Sequence, residues 1–99
     1  MSFRVRYTEG ARNDLTRLYS YLLARDPASA RRARDAINKG IELLKDFPFT
    51  CRKATAESPL LRELVIPFGG SGYVALFKII DATTVTIIAV RHQHEDDYL

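Results

Sequence analysis

The sequence predicts an α+β domain in the order β-α-α-β-β-β, a helical hairpin packed on a small antiparallel sheet. Apolar and polar residues alternate at the start of the chain and again in its last third, which is the period of a half-buried strand. Between these stretches two runs repeat apolar residues at i, i+3, i+4 and i+7, the stripe of an amphipathic helix. The chain has 99 residues, 46% of them hydrophobic. That is enough for one core and too short for two, so residues 1–99 are read as a single domain.

Phe3, Val5 and Tyr7 alternate with Arg4 and Arg6 and form the first strand. Thr8 is placed to cap the helix that follows, with Glu9 in its first turn. Ala11, Leu15, Leu18, Tyr19 and Leu22 make the apolar stripe of this helix, and Arg12, Asp14, Arg17 and Ser20 take its wet face. The pair Asp26-Pro27 ends one helix and starts another, because Asp is a good N-cap and proline at the first helical position gives up no needed N–H. In the second helix Ala30, Ala33, Ile37, Ile41 and Leu44 share a stripe, and Pro48 ends it near Asp46. Phe49 to Ser58 has no clear period and reads as a connection with a short helical turn around Ala54 to Glu57. Leu60 to Phe68 is a strand ending at Pro67, and Gly69, Gly70, Ser71 and Gly72 supply a hairpin turn. Tyr73 to Ile80 returns, Asp81 to Thr83 turns again, and Thr84 to Val90, rich in β-branched residues, completes a three-strand meander.

The net charge of +3 and pI of about 9.2 favour nucleic acid or an acidic protein without requiring either. Arg25, Arg31, Arg32, Arg34 and Lys39 crowd the first half, while Glu95, Asp96 and Asp97 make an acidic end, which suits a partner with patches of both signs. The most apolar stretch, Tyr73 to Val90, is broken by Lys78, Asp81 and a Thr pair, and the N-terminus carries charges inside its only apolar run. Neither a membrane span nor a cleaved signal peptide is expected, and a cytoplasmic location is. The single Cys51 has no internal disulfide partner and reads as a small, partly buried hydrophobe beside Phe49.

No phosphate loop, CxxC, HExxH or GxSxG is present, so no cofactor is expected; Gly69 to Gly72 lies between two strands and serves as a turn. His92 and His94 project to one side of an extended chain and, with Glu95 or Asp96, come near to a metal set. A third well-placed ligand is missing, so they read as a hydrogen-bonding or solvated pair with no metal. Arg62 within an apolar strand and Arg91 at the end of the last one have the fork geometry that grips phosphate or carboxylate, although the pattern alone favours the solvent face for Arg62.

Taken in order, the segments resemble the ParE/RelE superfamily of toxin–antitoxin modules, and especially its ParE branch of plasmid stabilisation proteins. The resemblance rests on Val5-Arg6-Tyr7-Thr8 with Ala11 and Asp14-Leu15, on Tyr19-Ser20-Tyr21-Leu22, and on Ala30-Arg31-Arg32. It continues through Leu44, Pro48, Leu61-Arg62-Glu63-Leu64 and Tyr73 to Val90-Arg91-His92-Gln93 with Glu95-Asp96-Asp97-Tyr98. His94 stands where the family commonly carries Arg. The resemblance implies a non-enzymatic toxin that inhibits DNA gyrase, trapping a cleaved gyrase–DNA intermediate, and is neutralised by a ParD-like antitoxin in a hetero-oligomer. It assigns Arg91, His92, His94, Glu95, Asp96, Asp97 and Tyr98 to the target and Arg31, Arg32, Arg34, Leu18 and Leu22 to the antitoxin. The other branch implies instead a RelE-like ribosome-dependent mRNA endoribonuclease, in which Arg62, His92 and Tyr98 take the catalytic places.

Overall fold

Local chemistry opens each helix where the sequence places it. The Thr8 hydroxyl accepts the amide of Ala11 at 3.0 Å and starts helix α1, Glu9–Arg25. The Asp26 carboxylate accepts the amides of Ala28 and Ser29 and starts α2, Pro27–Leu43, so one residue both closes the first helix and caps the second. The computed structural model describes residues 2–95. Before the helices lies strand β1, Arg4–Tyr7; after them come a single 3₁₀ turn at Pro48–Thr50 and strands β2 (Arg52–Lys53), β3 (Leu61–Phe68), β4 (Ser71–Asp81) and β5 (Thr84–His92).

The sheet runs β1-β5-β4-β3-β2. Strands β3, β4 and β5 form the expected antiparallel meander. The sheet as a whole is mixed, because β1 lies parallel to β5, with Arg4 opposite Thr84 and Tyr7 opposite Ile87. The helical hairpin acts as the start of a crossover that brings the first strand beside the last. The connection after α2 also differs from expectation. It holds the 3₁₀ turn and the two-residue β2, with no helix at Ala54 to Glu57, because the amide of Ala54 goes to Leu61 O in the manner of a ladder.

Both helices pack on one face, α1 over β5 and α2 over β3. Ala11, Leu18, Ala33, Ile37 and Ile41 meet Leu64, Ile66, Phe77, Val85 and Ile87 there, and each large side chain so buried contributes about 1.5–3 kcal/mol before entropy is counted. Among the described residues no helix is long and apolar enough to cross a membrane.

A β-bulge decides what faces the helices at the far end of β5. Phe77 lies opposite Ile87 but Leu76 lies opposite Ala89, so Ile88 is an extra residue. An extra residue reverses the alternation of every residue beyond it. Val85 and Ile87 face the helices before the bulge, and Val90 and His92 face them after it. Helix α1 holds the bulge in place: Thr8 Oγ1 donates to Ile88 O at 2.9 Å and Asp14 Oδ2 accepts the Val90 amide at 2.9 Å.

The glycines of the β3–β4 hairpin do different work. Gly69, with φ of 60°, is the positive-φ residue of the turn. Gly72 keeps the strands close, since a Cβ there would lie 2.2 Å from Ile66 O.

Candidate partner-binding groove and C-terminal turn

The apolar stripe of α1 is wider than its core contact. Ala11 and Leu18 are buried, while Leu15, Tyr19 and Leu22 are only half-buried. With Ala33, Arg34, Ile37 and Tyr73 they line a trough of about 260 Å³ between α1 and α2. A second, of about 720 Å³, runs along the other side of α1 between Arg17 and Tyr21, the hairpin at Phe68 to Ser71, and His92, His94 and Glu95. Leu18, Leu22 and Tyr73 belong to both, so α1 stands in one apolar groove that follows its length.

Arginines rim this groove. Arg34 lines it, 5.8 Å from the Tyr19 ring, with Asp35 3.8 Å from its Nε. Arg31, one turn earlier and exposed, stands on the same side of α2. Arg32 is turned away and donates to Ser29 Oγ at 2.9 Å. Of the residues assigned to the antitoxin, Leu18, Leu22 and Arg34 thus share the groove, Arg31 adjoins it, and Arg32 lies around the helix.

At one end the groove is walled by a closed turn after β5. The Glu95 carboxylate accepts the amide of His92 at 3.1 Å and Arg17 Nη1 at 2.7 Å. Burial raises the Glu95 pKa, and the Arg17 hydrogen bond, the His92 amide and the Arg17 charge outweigh it, leaving the carboxyl below its ordinary value. Arg91 Nη1 donates to the carbonyls of His92, Gln93 and Glu95, the last at 2.9 Å. His92 Nδ1 accepts the amide of His94 at 3.2 Å, so a neutral ring carries its proton on Nε2 and donates it to Ser71 Oγ at 3.0 Å. The ring also meets Tyr73 edge-on at 5.6 Å. Both nitrogens of His92 are therefore engaged within the protein. Arg91, His92, His94 and Glu95 come together in this turn; Asp96, Asp97 and Tyr98 lie outside the described residues.

Arg62 is elsewhere. It sits opposite Phe77 on β3, whereas His92 sits opposite Tyr73 on β5, a separation of two strands and four residues, on the order of 15 Å. Its guanidinium donates to the carbonyls of Pro59 at 2.6 Å, Cys51 at 2.9 Å and Phe49 at 3.2 Å, and so ties down the connection that precedes β3. Burial pushes the Cys51 thiol up, against the pull of the Arg62 charge, which disfavours the thiolate.

Periodicity did not single out Arg17, Ser71 or Phe68 for this site, and it placed Asp14 on the wet face. The Asp14 side chain is only 13% exposed and holds the bulge. Contacts such as Arg17 with Glu95, 78 residues apart, leave no local signal.

Fold and groove together define a small α+β domain that carries a concave apolar surface rimmed by cations. The family described as "ParE toxin of type II toxin-antitoxin system, parDE" matches residues 5–97. The chain belongs to this family. It is similar to toxin RelE3 of Caulobacter vibrioides, 38% identical over 85 residues that cover 86% of this chain and 88% of the relative. Toxin RelE1 of the same organism is 31% identical over 83 residues, covering 84% and 86%. Among solved structures, a chain of the chromosomal ParDE TA system from P. aeruginosa superposes with a TM-score of 0.72 at 18% identity, covering 92% of this chain and 96% of that one.

Proposed function

We propose that this toxin inhibits DNA gyrase in the cytoplasm and is neutralised by a ParD-like antitoxin seated in the groove along α1. The match to the ParE family over residues 5–97 is the observation that carries the reading. The groove supports the antitoxin half of it: an amphipathic segment with carboxylates finds apolar walls at Leu18 and Leu22 and a cation at Arg34. The C-terminal turn supports the gyrase half, because its side chains are spent on holding a shape and poisoning by occupancy requires shape and charge rather than a nucleophile. In this reading Arg91, His92, His94 and Glu95 present the turn to the gyrase–DNA complex, followed by Asp96, Asp97 and Tyr98.

The names of the two Caulobacter relatives favour a second reading, a ribosome-dependent mRNA endoribonuclease. One pair of assays separates them. The purified chain is added to a gyrase supercoiling reaction and, in parallel, to ribosomes programmed with mRNA. Loss of supercoiling with intact mRNA is expected. Cleaved mRNA with unimpaired supercoiling would transfer the assignment to the nuclease.

A further inference from the structure

The helices cover one face of the sheet, and the β1-β5-β4 part of the opposite face carries cations. Val5 and Tyr7 pack toward the core, so Arg4 and Arg6 stand on the other side, both exposed. Val85 and Ile87 are fully buried, which turns Thr84 and Thr86 the same way as the arginines. Lys78, between buried Phe77 and Ile79, joins them. The register aligns these residues: Arg6 beside Thr86, Thr86 beside Lys78, and Arg4 beside Thr84. With strands about 4.8 Å apart and alternate residues about 7 Å apart, three cations and two hydroxyls share a patch roughly 10 Å by 7 Å. Arg4, Arg6 and Lys78 make no ion pair among the described residues, whereas the two carboxylates on this face are already engaged. Arg52 holds Glu63 at 3.0 Å, and Asp81, opposite Thr84 at the Arg4 corner, accepts the amide and hydroxyl of Thr83 at 2.9 and 3.1 Å.

We propose that this sheet face binds the phosphate backbone of duplex DNA. Cations set this close, none of them in an ion pair among the described residues, repel one another, and a polyanion relieves all of them at once where a lone carboxylate such as Asp81 relieves one. The Thr86 hydroxyl, between Arg6 and Lys78, is a donor to a phosphate oxygen, while that of Thr84 goes to the Asp81 carboxylate. Tyr7 is turned inward, so β1 offers no ring on which unpaired bases could stack, and this favours a duplex over a single strand. The inference goes beyond the gyrase reading, because it gives the chain its own contact with DNA on a face remote from the α1 groove.

The test is fluorescence anisotropy of a short labelled duplex with the full chain over a range of salt, with no gyrase present. The expected result is a linear fall of log affinity with log salt. In the combined variant Arg4→Thr, Arg6→Thr, Lys78→Thr, which keeps β-forming residues in the strands, the slope should shrink by about 0.9 for each cation removed. Arg4→Lys with Arg6→Lys should keep the wild-type slope, and a thermal melt checks that every variant folds. An unchanged slope in the folded threonine variant overturns the proposal. So does an equal loss on replacing Arg31, Arg32 and Arg34 by Ala, which would mean diffuse attraction to net charge. Tighter binding to a single-stranded thymidine oligonucleotide than to the duplex rejects the duplex assignment, and loss of antitoxin affinity with DNA binding intact makes the face a protein surface. Supercoiling assays on the same proteins report separately on gyrase.

Discussion

Glu95 receives donors from two directions, the amide of His92 in its own turn and the guanidinium of Arg17 on α1. Its folded pKa lies below the ordinary glutamate value, so its charge adds stability above that value, and the gain is lost as pH falls through the lowered one. Carbon-detected NMR titration should find Glu95 deprotonating below the ordinary glutamate value, and Arg17→Ala should move it upward. An unmoved Glu95 would dissociate the turn from α1. The pair is partly exposed, so its worth is only about 0.2–1 kcal/mol and should decline with salt. Asp14 matters more, because Val90 N–H has the Asp14 carboxylate for its acceptor at the bulge. Asp14→Ala should cost about 1–3 kcal/mol, and at about 4–8 °C per kcal/mol this is readily seen in a thermal melt. Asp14→Asn retains an oxygen acceptor and should recover most of the loss. The sequence shows Asp14 only as a polar residue on a wet face. Its partner is 76 residues away, beyond the reach of any local period.

Helix caps, helical stripes and the meander were legible because each depends on neighbours within a few residues. Thr8, the Asp26-Pro27 pair and the run from Thr84 to Val90 act where they stand. The bulge was not legible, since Ile88 is an ordinary strand former and nothing local marks it as extra. Unbroken alternation from Val85 would turn Arg91 toward the helices and His92 away from them. The observed strand does the reverse and carries His92 to Ser71 and Tyr73. Helix α2 presents a similar gap between composition and placement. Its three arginines look equivalent in sequence, yet Arg34 lines the groove and Arg32 bonds Ser29. Antitoxin titrations should therefore show Arg34→Ala weakening the complex more than Arg32→Ala, with the larger loss of salt dependence. Equal effects would place the antitoxin on the outer side of α2 instead of in the groove.

Across the whole molecule, the first strand is seated by the last. Among the described residues β1 has only β5 for a neighbour in the sheet, and Thr8 reaches Ile88 80 residues later. Contacts so distant in sequence form late and slowly, because loop closure must precede them. A chain ending at Thr83 lacks Val85, Ile87 and Val90 from its core and leaves β1 without a partner. Such a fragment should melt without a cooperative transition by circular dichroism, and expressing it should leave growth unimpaired where the full chain arrests it; a cooperative melt would show that β1 and the helices stand without β5. The parallel β1–β5 pair thus ties completion of the sheet to the end of synthesis: until Thr84–His92 has left the ribosome β1 has no partner among the described strands, so a prematurely terminated message should release a chain without the finished sheet.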